Sequence, residues 1–72
     1  MNHKTKTAEL IRTTRLVQKH GIRRTATIQG LTICGITDRI RRLEKQLGFR
    51  IFAPYDYGRL TFQGKEYLKA VD

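Results

Sequence analysis

An apolar stripe in the middle of the chain constrains the fold more than any other feature. Its members are Ile36, Ile40, Leu43 and Leu47. They recur at the period of an α-helix that buries one face, whereas a half-buried strand would alternate apolar and polar residues. Gly48 follows, where a residue with left-handed backbone commonly ends a helix. The pattern predicts a helix over about 33–47 with its stripe against a core.

The opposite face of this helix is polar and mostly cationic. The same spacing places Cys34, Asp38, Arg41 and Lys45 there, flanked by Thr37 and Arg42. The whole chain has fifteen Lys and Arg against six Asp and Glu, a formal net charge of +9. A field of this sign attracts polyanions, and nucleic acid is the commonest of them. An anionic membrane ranks lower because the chain has no Trp-studded amphipathic helix.

Periodicity and breaking residues predict the remaining elements. We expect helices over about 7–19 and 24–29, strands over 49–53 and 59–62 around a turn at 54–58, and a last helix from about 63. Gly30 is expected to end the short helix, and Thr32 and Thr61 to cap the two helices that follow them. Residues 1–6 are expected to be a flexible basic tail, which leaves 7–72 as one domain.

The chain shows no signature of a metal site, a cofactor site or an active site. Cys34 is the only cysteine, and His3 and His20 lie far from it in sequence. No nucleophile–base set, phosphate-binding glycine loop or carboxylate pair is present. We therefore expect no cofactor and a binding protein instead of an enzyme. Without a secretory signal or an apolar run of about 20 residues, a cytoplasmic, nucleoid-associated location in a bacterial or phage setting is expected.

A short helix, a turn containing glycine and a second helix form the pattern of a helix-turn-helix. Ala26 supplies the small residue where the two helices would cross, and Leu31 and Ile36 the apolar anchors. This match uses common residue types and is weak by itself. A longer match extends it toward the end of the chain.

The run at 40–48, IRRLEKQLG, is followed by Ile51-Phe52 and by Leu60-Thr61 with Gly64. This sequence closely resembles the DNA-binding domain of the LysR-type transcriptional regulators, which reads I-x-x-L-E-x-x-L-G, then L-F, then L-T-x-x-G. The resemblance covers about residues 10–70. It implies a mainly α fold with a small β-hairpin: a winged helix-turn-helix of three core helices, a two-stranded wing and a C-terminal helix.

The chain departs from the family pattern at several positions. Gln29 stands where the family prefers leucine, Cys34-Gly35 replaces Pro-Ala, and Pro54 stands where arginine is frequent. The family's linker helix and effector-binding domain are missing. We therefore expect either a stand-alone small regulator or a fragment of a longer one. In both cases the chain has too little room for an effector pocket of a few hundred cubic ångströms, and no small-molecule effector is expected.

The resemblance places the third helix in the major groove and so defines the expected DNA contacts. The residues expected near base edges are Thr32, Ile33, Cys34, Thr37 and Asp38. Those expected to meet phosphates are Arg23, Arg24, Arg41, Arg42 and Lys45. Arg59, at the hairpin, would enter the minor groove. For Arg23 and Arg24, a solvated charged face is the alternative.

Asp38 has two interpretations that are both open. Its carboxylate can accept a hydrogen bond from the amino group of cytosine. It can also pair within the helix with Arg42 or Arg41. Tyr55 and Tyr57 likewise either reach phosphates or pack on the domain, whereas Glu44 is expected simply to pair with basic neighbours along the helix.

These expectations predict a sequence-specific regulator of transcription that binds double-stranded DNA, with repression favoured. Specificity implies a homodimer or side-by-side copies on repeated half-sites. Tyr67, Leu68 and Val71 are the candidate dimer contact, or else they complete the core of the monomer. An architectural, DNA-bending excisionase or recombination directionality factor of a mobile element is the alternative function. A module that binds an acidic protein is a third.

Overall fold

The computed structural model describes residues 7–54 and 56–71. It contains four helices and one hairpin: α1 at Thr7–His20, α2 at Ile22–Gln29, α3 at Ile33–Leu47, β1 at Phe52–Ala53, β2 at Asp56–Leu60 and α4 at Phe62–Ala70. The chain is thus mainly helical, as predicted, and α3 has the predicted bounds. The tail expected at 1–6 lies outside the described residues. Within the described part of the chain, no helix has the length and apolar character needed to cross a membrane.

The core lies where α1, α2 and α3 pack together over the start of the hairpin. Its buried members are Leu10, Val17, Ala26, Ile36, Ile40, Leu43, Ile51 and Phe52. The stripe predicted for α3 is therefore confirmed, with Leu47 half-buried at its end. Because no disulfide joins the described residues, burial of this cluster is the main source of stability.

The connection between α2 and α3 follows the prediction closely. Gly30 adopts a left-handed conformation with φ 66°. The amide of Leu31 donates to the Ala26 carbonyl at 2.8 Å, which closes the end of α2. Thr32 then caps α3, because its hydroxyl oxygen accepts from the Gly35 amide at 3.0 Å. The start of α2 differs: it begins at residue 22 and not near 24.

The early start of α2 depends on Gly21, the single residue that separates it from α1. Gly21 has φ 87°, which L side chains rarely adopt, so the chain can change direction within one residue. Its amide donates to the Val17 carbonyl at 2.9 Å, and its carbonyl accepts from the Thr25 amide at 3.1 Å. Gly21 therefore closes the last turn of α1 and opens the first turn of α2.

Gln29, at the end of α2, faces a buried hydroxyl. The hydroxyl of Thr13 lies 2.9 Å from Gln29 Oε1 and 3.1 Å from the Glu9 carbonyl oxygen. Thr13 is fully buried, so an apolar residue at position 29 would remove one of its polar neighbours. The polar residue at 29 thus matches the polar residue on α1.

The hairpin is shorter than predicted. β1 and β2 are antiparallel, with Phe52 opposite Leu60, Ala53 opposite Asp56, and an irregularity between the pairs. The bounds expected for the strands, 49–53 and 59–62, were wrong, since residues 49–51 and 61–62 lie outside the two strands. The turn expected at 54–58 is shorter, because β2 already begins at residue 56. The physical reason is that Thr61 leaves the ladder to cap α4, accepting from the Gly64 amide at 2.9 Å. α4 therefore starts at residue 62.

α4 packs tightly against the segment that leads into β1. The Thr61 amide donates to the Ile51 carbonyl at 2.9 Å, and the Thr61 hydroxyl donates to the Arg50 carbonyl. Gly64 is buried at this contact, and a Cβ there would overlap the carbonyl oxygen of Ile51. Only glycine allows such an approach between α4 and this segment.

The candidate dimer contact on α4 is partly used inside the single chain. Leu68 is only 5% exposed, and its carbonyl accepts from the Arg15 guanidinium at 2.8 Å. Tyr67 is half-buried and lies edge-on to Phe49, with ring centroids 6.2 Å apart. The expectation of a dimer contact is therefore wrong for Leu68, which completes the core of the monomer. Val71 is half-buried.

Candidate nucleic-acid interface

Almost all the expected DNA contacts are exposed. They are Arg23, Arg24, Thr32, Ile33, Cys34, Asp38, Arg41, Arg42, Lys45 and Arg59. Thr37 is the exception: it is half-buried, and its hydroxyl donates to the Cys34 carbonyl at 3.0 Å. The hydroxyl oxygen of Thr37 thus keeps only its acceptor capacity for a further partner.

The first turn of α3 is held by its own hydroxyl groups. Thr32 accepts from the Gly35 amide, and Thr37 donates to the carbonyl of Cys34. These bonds fix the backbone beside the exposed Ile33 and Cys34 side chains. This end of α3 is therefore held by hydrogen bonds within the chain.

Asp38 forms the intrahelical pair that was one of its two interpretations. Arg42 Nη2 lies 3.5 Å from Asp38 Oδ2, and the two side chains are 53% and 62% exposed, respectively. A pair this exposed, four residues apart on one helix, contributes about 0.3–0.5 kcal/mol. Such a small free energy does not hold the carboxylate away from a stronger hydrogen-bond donor, so the contact with a base stays a prediction.

Among the described residues, Glu44 forms no ion pair with a basic neighbour on its helix, so that expectation was wrong. Its Oε2 atom accepts hydrogen bonds from the backbone amides of Ile51 at 2.8 Å and Phe52 at 3.4 Å. These amides lie where the chain turns back beneath α3, and a carboxylate satisfies them better than water in a part-buried site. Glu44 therefore ties α3 to the start of the hairpin.

A cleft opens between the second half of α3 and the hairpin, with a volume of about 620 Å3. Its charged lining consists of Arg41, Glu44, Lys45 and Arg50. The space is open to solvent and more polar than apolar, unlike an enclosed effector pocket. We name this space the α3–hairpin cleft.

Arg50 was missed among the candidate site residues. It follows α3 by three residues and is exposed, whereas Ile51 beside it is fully buried. The alternation of Phe49, Arg50 and Ile51 already indicated that residue 50 points outward. Sequence alone did not indicate that it lines the same cleft as Arg41 and Lys45, because that depends on how the chain turns after Gly48.

Arg59 does not join those cations. It lies at a separate cleft of about 380 Å3, together with Gln18 and Lys65. Of the two interpretations of Tyr57, the structure agrees with packing on the domain, since its ring is tilted against Phe52 with centroids 5.7 Å apart. The side chain also borders the α3–hairpin cleft. Tyr55 lies outside the described residues.

Among residues 7–54 and 56–71, no three His, Cys, Asp or Glu side chains are grouped so that they could hold a metal ion.

Comparisons with protein-family models, with curated proteins and with solved structures found no match.

Proposed function

We propose that this chain is a winged helix-turn-helix protein that binds double-stranded DNA at specific sequences and regulates transcription. In this proposal α3 is the recognition helix, α2 crosses the DNA backbone, and the hairpin is the wing. The chain acts by binding and carries out no reaction of its own. The LysR-like run at residues 40–48 agrees with this assignment.

The observation that supports the proposal most is the division of α3 into two faces. Ile36, Ile40 and Leu43 are fully buried. On the opposite side of the helix the exposed residues are Cys34, Asp38, Arg41 and Lys45. An α-helix with its outer face free fits the width of the major groove of B-DNA. The left-handed turn at Gly30 and the cap at Thr32 precede a first turn of α3 in which Ile33 and Cys34 are exposed.

The charge along α3 suits entry into a groove between two phosphate backbones. Cys34 and Asp38, near its start, are neutral or acidic and would face bases. Arg41 and Lys45, one and two turns further on, carry the positive charge that would meet phosphates as the helix leaves the groove. Arg23 and Arg24 on α2 are exposed and add to this charge. Binding should therefore weaken steeply as the salt concentration rises.

The proposal is tested by incubating the purified full chain with sheared genomic DNA at physiological salt and sequencing the fragments it retains. We expect enrichment of repeated half-sites near promoters, because one copy of α3 contacts only a few base pairs. A variant with Asp38 changed to alanine serves as the control for specific retention, since it removes a proposed base contact and keeps the phosphate contacts.

Three other outcomes contradict parts of the proposal. Enrichment beside a recombination attachment site, with bending of the retained duplex, would favour the architectural recombination factor over the regulator. Retention without any common sequence would remove the claim of specificity. Failure of the chain to bind duplex DNA at low salt would overturn the proposed function altogether, and would favour a module that binds an acidic protein.

A further inference from the structure

The α3–hairpin cleft brings together cations from two separate segments of the chain. Arg41 and Lys45 come from the last turns of α3, and Arg50 from the segment after its end. All three side chains are exposed, and no described residue forms an ion pair with any of them. Like charges that share a concave surface repel one another and concentrate a positive field in the cleft, which favours an anion there.

Among the described residues that line the cleft, Glu44 is the one with a carboxylate, and one of its oxygens is already hydrogen-bonded. Glu44 Oε2 accepts from the Ile51 and Phe52 amides, so this oxygen faces the backbone at the start of the hairpin. These bonds also fix the backbone just after Arg50. On the other side of this segment, the Arg50 carbonyl accepts from the Thr61 hydroxyl. The Arg50 backbone is therefore held from both sides, while its side chain is free to bind.

We infer that the α3–hairpin cleft binds a phosphodiester group of duplex DNA, with Arg50 as a phosphate ligand beside Arg41 and Lys45. A guanidinium presents paired N–H donors that match two phosphate oxygens, and a lysine ammonium adds a point charge. The inference rests on the proposed function, in which α3 lies in the major groove, and it adds a contact at the hairpin side of that helix.

The test compares two variants that each remove one positive charge from the chain. Arg50→Ala changes the cleft, and Arg12→Ala changes an exposed arginine on α1 that is not part of the cleft lining. Affinity for labelled duplexes of several sequences is measured by fluorescence anisotropy over a series of salt concentrations. Circular dichroism confirms that both variants keep the helical content of the native chain.

We expect Arg50→Ala to weaken binding to every duplex by about fivefold and to lower the slope of log affinity against log salt by about 1, because one phosphate contact is lost. Arg12→Ala should leave the slope unchanged. Arg50→Lys should restore most of the slope, since a lysine still neutralises a phosphate. Equal effects of Arg50→Ala and Arg12→Ala would overturn the inference while leaving the proposed function intact.

A second arm separates DNA from a free anion as the source of the phosphate. Inorganic phosphate is titrated into the isotopically labelled native chain, and the amide signals of residues 48–51 are followed by NMR. Saturable shifts at sub-millimolar phosphate, together with an Arg50→Ala variant that binds DNA like Arg12→Ala, would assign the cleft to a small anion and overturn the DNA contact. If the native chain binds no duplex at all, the proposed function fails first.

Discussion

The change Glu44→Ala tests how α3 holds the hairpin. In the native chain the Glu44 carboxylate accepts from the Ile51 amide at 2.8 Å and from the Phe52 amide at 3.4 Å. Alanine removes the acceptor. The side chains of both amide-bearing residues are buried, at 0% and 2% exposure, so water has poor access to the freed amides. Two backbone donors would then lack a partner near the core.

The size of the effect follows from the quality of the two bonds. A hydrogen bond to a charged acceptor contributes about 1.5–3 kcal/mol, and the shorter bond accounts for most of this because the longer one is near the geometric limit. We therefore expect a loss of about 2–3 kcal/mol. A domain of this length is stable by about 4–11 kcal/mol in total, so the loss is a large fraction. The corresponding fall in Tm is about 10–20 °C.

Urea unfolding followed by far-UV circular dichroism measures this loss, because most of the chain is helical. Glu44→Gln keeps one neutral acceptor oxygen and should lose about half as much free energy. The matched control is Glu66→Ala. Glu66 is on α4, where its side chain is 55% exposed and lies 3.7 Å from the Lys69 ammonium. A surface pair of this kind contributes little, so the control should change by no more than about 0.5 kcal/mol.

One result would refute the reasoning. If Glu44→Ala and Glu66→Ala unfold at the same urea concentration with the same m value, Glu44 does not support the start of the hairpin. A changed m value for Glu44→Ala alone would have a different meaning. It would show that the hairpin detaches in the native state, which still agrees with the role of Glu44.

Three further predictions concern packing and the proposed interface. Gly64→Ala should lower the free energy of unfolding by about 2–4 kcal/mol, measured with urea, because its Cβ would overlap backbone atoms. The control is Gly35→Ala, whose Cβ would meet nothing closer than 3.4 Å, and it should be neutral or stabilise α3 by up to about 1 kcal/mol. Equal effects of the two changes would contradict the close approach at Gly64. Asp38→Asn should alter the preferred base at one position in a selection from randomised duplexes, and an unaltered site would leave Asp38 only an ion-pair partner within α3. Arg41→Ala and Lys45→Ala should each weaken binding to all duplexes and reduce the salt slope by about 1, and a loss confined to one sequence would refute their assignment to phosphates.

The helical part of the fold was predictable because its signals are local. The α3 stripe recurs over four turns, and Thr32 and Gly48 mark its two ends, so both bounds were predicted correctly. Exposure of the polar face followed from the same period. The Thr61 cap of α4 was also predicted, since a threonine three residues before Gly64 can accept from its amide.

The hairpin was less predictable because its limits are set by contacts between distant residues. β-prone residues at 49–51 do not extend the ladder, since the amide of Ile51 donates to Glu44 and its carbonyl accepts from Thr61. No local pattern distinguishes such a segment from a strand. Phe62 shows the same limitation: it was counted with a strand, yet it begins α4 and is 77% exposed.

Contacts between distant residues also explain why Arg41 and Lys45 were predicted as site residues while the cleft that they share with Arg50 was not. Arg41 and Lys45 share a helix face, so their spacing alone brings them together. Arg50 joins them only because Gly48 reverses the chain with φ 82° and Glu44 then fixes the amide that follows Arg50. Because Glu44→Gln removes a negative charge from the cleft, it should not weaken DNA binding as Arg50→Ala does, but it should destabilise the fold more. Weaker DNA binding by Glu44→Gln than by Arg50→Ala, with the fold intact, would refute this account of the two residues.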